Sequence, residues 1–403
     1  MSSRNKTILL LGGSPQQVPA IKQAKDMGLR TVLIDYLPDN PGQYVADKWY
    51  QESTTNVEAV YNIAKKENVN GILAYASDPA ALPAAIVCER LGLPTNPSKS
   101  IEILGIKHKF RTFLKNNGFP CPNIFTFQSD CSFKYIIDGL KTLTFPIIIK
   151  PTDSSGSKGI TFLNSLDNID YAINHAKTYS RNGIIIAEEF IKRGFPNVIG
   201  GDIFVENGEI VLFGEMACLR DNNGNGLIPI GKQYPSGLIA TQESALRNEL
   251  RRLIKKLKIR SGEFNIELII DQKGNPHFLE LGPRAGGNMI PIQLSDIFDI
   301  DLINANILAA INENISLKPT KPKEFYMTHV LHSHIDGCFC DINFSEEIEP
   351  YIYRKVIYKN KGEKIEAFDG AGKAIGIIFM KFPSKDEMIN IQHNIDQHIN
   401  IKI

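Results

Sequence analysis

Lys150 closes the apolar run Phe145–Ile149 and is followed, after Pro151, by Thr152-Asp153-Ser154-Ser155-Gly156-Ser157-Lys158-Gly159. A strand-terminal ammonium beside a Ser/Gly loop combines one cation with several accessible backbone N–H groups. Phosphate oxygens need that combination, and glycine lets the backbone approach them closely. The segment is not a G-x-x-x-x-G-K-[ST] loop. Taken alone, it equally describes a surface Ser/Gly loop with a solvated lysine.

Two carboxylates further along carry a second signal. Glu267 lies in Phe264–Ile270 and Glu280 in His277–Leu281, with Asp271-Gln272-Lys273-Gly274-Asn275 as the turn between them. Both interrupt apolar runs, where a lone charge is costly or shifts its pKa. Antiparallel pairing across the turn can set them side by side, as a divalent cation with hard oxygen ligands would require. The other reading is a solvated face of an edge hairpin. Arg284, in Gly282-Pro283-Arg284-Ala285-Gly286-Gly287-Asn288, follows directly. Its planar fork suits a phosphate or a developing oxyanion, or an ion pair with one of the glutamates. A buried strand, Ile184–Ala187, runs into Glu188-Glu189-Phe190-Ile191. That stretch reads as a hinge whose backbone could face an adenine edge with Glu188 accepting from its amine, or as a core strand with a solvated end.

The elements that must position these residues alternate in type. A strand at residues 7–11, a helix from Val18 to Met27, strands at 31–34 and 71–75, and an alanine-rich helix ended by Gly92 predict a parallel sheet with crossover helices over residues 1–97. From Ile101 the pattern changes. A helix at 107–117, a strand at 124–127, a helix at 133–140, strands at 145–149, 184–188, 201–206, 209–217, 263–270 and 276–281, and a helix at 241–258 predict an α+β body over 98–315. Glu206-Asn207-Gly208-Glu209 is a hairpin signal. After the Lys/Pro linker at 318–323, residues 316–403 read as a small, mostly-β domain with one terminal helix. The Gly/Asn-rich segment from Ala217 to Leu238 reads as a loop over the substrate.

Composition narrows the classes. The 403 residues carry a formal net charge of +1, which argues against nucleic acid as the main partner. Six scattered cysteines predict reduced thiols in a cytoplasmic protein. No apolar run approaches the roughly 20 residues of a membrane span. His329, His332 and His334 with Cys338 and Cys340 match no standard zinc-finger spacing. Gly12-Gly13-Ser14 with Asp35 falls short of the G-x-G-x-x-G dinucleotide fingerprint.

In this order, the lysine–loop unit, hinge, glutamate pair and arginine resemble the ATP-grasp superfamily over nearly the whole chain. The resemblance implies an α/β pre-grasp domain (1–97), an α+β ATP-grasp fold (98–315) and a small β-rich C-terminal domain (316–403). It implies that Lys107, Lys150, Ser154, Ser155, Gly156, Ser157 and Gly159 hold ATP phosphates, and that Glu188, Glu189, Phe190 and Ile191 read adenine. Glu267 and Glu280 would bind Mg2+, with Mn2+ as a substitute, and Arg284 would be catalytic. The implied reaction joins a small-molecule carboxylate to an amine through an acyl phosphate, in a possible homodimer. Glu280–Pro291 and the C-terminal part, with Gly337, Tyr351–Tyr353, Gly362 and Gly376, resemble L-amino-acid ligases. Phosphoribosylglycinamide synthetase and the carbamoyl-phosphate synthase large chain share the same core. Two departures stand out: Gly282 occupies the place of a third metal ligand, an asparagine, and the ribose-binding acid has only Asn197 and Asp202 as nearby candidates. A non-catalytic nucleotide-binding module is the alternative that Gly282 favours, and an NAD-linked oxidoreductase is a further one.

Overall fold

The computed structural model describes residues 6–154, 158–221, 226 and 228–403. Strands β1 (Thr7–Leu11), β2 (Arg30–Asp35), β3 (Lys48–Gln51) and β4 (Gly71–Leu73) form a parallel sheet in the order β3-β2-β1-β4. β1 is buried throughout and apolar from Ile8 to Leu11 because both faces of the sheet are covered. Helices α2 (Val57–Lys66) and α3 (Asp78–Leu91) cover one face. On the other face lie α1 (Val18–Asp26) and a late helix, Leu302–Ala310, whose Ile307 and Ala310 pack with Ile8, Leu10 and Leu33. Strand β3 was not foreseen: Lys-Trp-Tyr-Gln is a short, partly exposed edge strand without apolar alternation.

Two helices, α4 (Ser98–Gly105) and α5 (Lys107–Asn116), lead into a second sheet. It contains β5 (Ile124–Gln128), β6 (Ile147–Pro151), β7 (Thr161–Leu163) and β8 (Ile184–Glu189), all antiparallel, in the order β5-β8-β6-β7. Helices α6 (Phe133–Leu140) and α7 (Ile169–Tyr179) back it, burying Ile136, Leu140, Ala172 and Ala176 against Ile147, Ile149 and Ile185.

The third sheet is antiparallel and eight-stranded. It takes in β9 (Ile199–Glu206), β10 (Glu209–Arg220), β11 (Pro229–Tyr234), β12 (Gly262–Ile270), β13 (Pro276–Gly282) and β14 (Phe325–Leu331). The order is β13-β12-β9-β10-β11-β14, followed by Gly376–Phe382 and Ile352–Ile357. Asn207 and Gly208 both have positive φ, as a two-residue hairpin between right-twisted strands demands. Helix α8 (Ala240–Lys256) lays Leu246, Leu250 and Leu253 into the core with Phe264 and Phe278.

Two expectations change here. Much of the stretch from Ala217 to Leu238 is not a loop but strand, paired from Ala217–Gln233 to Arg220–Pro229. β10 runs on to Arg220 because Met216, Ala217, Cys218 and Leu219 are all buried within the sheet. The long strands of 316–403 also do not form a sheet of their own. They extend the central one, with Gln233 opposite Met327 and Tyr234 opposite Tyr326. Among the described residues, no helix is long and apolar enough to cross a membrane.

Candidate active site

A cleft between the β5-β8-β6-β7 sheet and the eight-stranded sheet gathers Lys107, Lys150, Ser154, Glu188–Ile191, Glu267 and Glu280. Gly159 is not on its surface. It lies behind, at φ +72°, where a Cβ would come 3.0 Å from the Pro151 ring, so the turn requires glycine. Ser155, Gly156 and Ser157 lie outside the described residues.

The glutamate pair follows from the turn that precedes it. Asp271 Oδ1 accepts from the N–H groups of Lys273 and Asn275, and Gly274 takes φ +86°. The turn pairs Ile270 with Pro276 and Leu268 with Phe278, and a one-residue bulge that skips Leu279 then places Glu267 directly opposite Glu280. Burial raises the Glu280 carboxyl, with Asp78 and Glu267 adding to the rise against Lys107 and Arg284. Burial also acts on Glu267, but Arg220 and then Lys232 outweigh it and hold that carboxyl low. Arg220, at the end of β10, donates to Glu267 Oε1. Two facing carboxylates of unlike proton affinity form an all-oxygen donor set, which fits magnesium.

The cation side of the cleft is built around Glu188. Lys150 on β6 and Glu188 on β8 are diagonal neighbours on one face of the sheet. Lys150 Nζ lies 2.7 Å from Glu188 Oε2, and Arg111 Nε from α5 lies 2.8 Å from Oε1. Arg111 Nη2 also donates to the Leu279 carbonyl at 3.0 Å, tying this sheet to β13. Burial would raise the Glu188 carboxyl, yet Arg111 and Lys150 hold it at about 2. Its carboxylate is therefore committed between two cations, and the expected contact with an adenine amine is corrected to a structural role. Glu189 is committed too, accepting from Thr144 N–H and Asn123 Nδ2. The Phe190 N–H goes to the Pro146 carbonyl, while its ring stands edge-on to Phe162 at 5.2 Å. Ile148, Ile191, Ile269 and Leu279 make the adjoining wall apolar. Lys107 begins α5 and donates to the Ser154 carbonyl, and its own N–H bonds to Thr152.

Residues 107–316, just over half of the chain, match the family model described as carbamoyl-phosphate synthase L chain, ATP binding domain. The chain belongs to that family of ATP-grasp, ATP-binding domains. It is 22% identical over 307 residues to the carbamoyl phosphate synthase large chain of Clostridium botulinum, covering 70% of this chain but 27% of that protein. Thus it spans about a quarter of the length of this curated relative. Among solved structures, it resembles the L-amino acid ligase of Bacillus licheniformis with a TM-score of 0.81 at 18% identity, over 99% of both chains. It also resembles the phosphoribosylglycinamide synthetase of Anaerococcus prevotii with a TM-score of 0.79 at 20% identity, over 99% of this chain and 100% of that one.

In this ATP-grasp protein, Arg284 pairs not with a glutamate but with Asp78, the first residue of α3. Nε and Nη2 lie 2.7 Å from the two carboxylate oxygens. Burial opposes the pair, but Arg284 and then Lys107 hold the Asp78 carboxyl low. Gly282 accounts for the absent asparagine: a Cβ there would sit 3.3 Å from Asp78 Oδ1 and 3.4 Å from Arg284 Cζ, pressing on this pair. Gly286 is likewise a packing glycine and does not leave room for a ligand. Its missing Cβ would meet Asp202 Oδ1 at 2.6 Å. Asn288 donates its N–H to Gln16 and does not line the cleft.

Asp202 is removed from any ribose role. It is buried beneath the Arg284 loop, where Oδ2 accepts from Gly286 N–H and Oδ1 from Asn265 Nδ2. Its neighbour Glu263 is raised well above the carboxylate range, first by burial and then by Asp202, so the buried pair keeps a proton. Asn197 lines a neighbouring cavity instead.

Asp78→Asn should leave ATP affinity nearly unchanged while lowering turnover about tenfold or more, since it loosens the placement of Arg284. Calorimetry with ATP beside a phosphate-release assay separates the two effects. Equal loss in both would mean that Asp78 serves only the nucleotide.

Proposed function

We propose that this ATP-grasp ligase activates a small carboxylate with ATP, as an acyl phosphate, and transfers the acyl group to an amine. The observation that carries the reading is Glu267 facing Glu280 in the same cleft as Lys107 and Lys150. Lys107 and Lys150 bind ATP phosphates together with the loop that starts at Ser154. Bound on Glu267 and Glu280, magnesium would neutralise charge on those phosphates. The apolar wall at Ile148, Ile191 and Leu279 encloses the base, while the backbone of Glu189 and Ile191 reads its edge. Arg284, which Asp78 and the Ala285 carbonyl hold in an adjoining cavity and not on the cleft wall, acts through its charge to steady the reacting carboxyl. Catalysis here is positioning and charge neutralisation, and no nucleophilic Ser or Cys takes part.

An amino acid or similarly small molecule is the proposed substrate class. The resemblance of the Glu280–Pro291 segment to L-amino-acid ligases supports it. A second reading, a phosphorylated sugar amine as acceptor, has Lys158 and Arg181 in its favour. Both line the hollow next to Glu280, and phosphate recognition takes several charge-assisted donors. The test is ATP-dependent phosphate release with single amino acids and amino-acid pairs, against glycine plus phosphoribosylamine. Turnover with amino-acid pairs is expected. Turnover only with the latter mixture would transfer the assignment to the second reading.

A further inference from the structure

We propose that Asp221, His332 and His334 form a binding site for a divalent transition-metal cation of the zinc class, beside the nucleotide cleft and separate from Glu267 and Glu280. One donor atom from each of the three side chains lies within 4.8 Å of the others. Tetrahedral metal–ligand bonds of about 2.0–2.2 Å set donors roughly 3.3–3.6 Å apart, so closing on a cation takes rotamer shifts of about 1 Å. His334 Nε2 is 3.8 Å from Asp221 Oδ1, and the His332 and His334 rings stand edge-on with centroids 5.0 Å apart.

The site is oriented from behind. His332 Nδ1 lies 2.7 Å from the Val330 carbonyl, which can only accept, so Nδ1 carries the proton. That leaves Nε2 with its lone pair, the tautomer and second-sphere contact typical of metal-ligating histidines. The His332 ring is also held against Phe368 at 4.4 Å. Asp221 is buried, whereas His334 is 45% exposed and gives a route of entry.

Donor chemistry separates this site from the glutamate pair. Two imidazoles and one carboxylate suit zinc, cobalt or nickel and leave a coordination position open, whereas magnesium prefers oxygens alone. Cys338 and Cys340 take no part; both are exposed, and Cys338 Sγ contacts the Gly362 carbonyl. Asp221 follows Arg220, which grips Glu267. A cation here therefore fastens the end of β10, and with it Arg220, to the segment beyond β14.

The test uses the untagged full chain, stripped with a chelator and titrated with Co2+ while visible ligand-field absorption is followed. One equivalent should bind, be displaced by Zn2+ and survive excess Mg2+. His334→Gln, at an exposed position that folding does not depend on, should weaken Co2+ at least about tenfold, and His332→Gln/His334→Gln should abolish the signal. Glu267→Gln/Glu280→Gln should keep it. Absence of the band in the wild type, its persistence in the double histidine variant, or its loss only in the double glutamate variant would overturn the proposal. None of these outcomes bears on whether the chain is a carboxylate–amine ligase.

Discussion

Glu188→Gln should destabilise the protein by about 3–5 kcal/mol, the scale of breaking a buried ion pair by removing one partner. The substitution keeps the side chain's volume, so no cavity contributes. What it removes is the one anion between Lys150 and Arg111, both within 2.8 Å of it. Two buried cations would then face each other across an amide. Denaturant unfolding at neutral pH measures the loss. The pH dependence gives an independent check. A carboxyl held at about 2, against 4.5 when free, adds stability above pH 4.5 and loses it as pH falls towards 2. The gap between wild type and variant should therefore close over that window. If Glu188 only read adenine, the variant would change the KM for ATP and leave the unfolding midpoint where it was.

Glu280→Gln should reduce turnover on the order of 10²–10³-fold, as loss of one preorganised charged group at a reacting centre does, with little change in stability. Burial, with Asp78 and Glu267, already raises this carboxyl, so a neutral amide fits its surroundings. Glu267→Gln should act differently. It frees Arg220 from its carboxylate partner and should raise the magnesium concentration needed for half-maximal rate more than it lowers the maximal rate. Phosphate release measured across a magnesium series distinguishes the two variants. Unaltered magnesium dependence in both would reduce the pair to a structural feature of the hairpin.

The glutamate pair was legible in the sequence because its cause is local. Asp271 to Asn275 specify a turn that brings the two strands together, and a one-residue bulge at Leu279, which the sequence does not announce, sets Glu267 against Glu280. Strand β1 and helix α6 were legible for the same reason, since periodicity and caps act within a few residues. Partners across the fold were not. Asp78 and Arg284 are separated by 206 positions, and nothing near either residue names the other. Arg111 offered one overlooked sign: it lies a helical turn from Lys107, on the same face of α5. Glu263 offered another, as a second acid in the strand that carries Glu267, but its partner Asp202 is set by the pairing of β9 with β12. The extension of β10 to Arg220 depends on β14, more than a hundred residues later, which completes the far side of β11.

That same junction bears on how the molecule comes apart. β11 is flanked by β10 on one side and β14 on the other. Ending the chain at the linker near 318 would strip one side of β11 and leave a row of unsatisfied N–H and C=O groups, a template for intermolecular pairing. Gly376–Phe382, buried along almost its whole length, holds the same strand ladder from beyond. The composition change at the linker is thus a seam in the sequence but not a boundary of cooperativity: the C-terminal strands melt with the sheet that carries Glu267 and Glu280, or not at all.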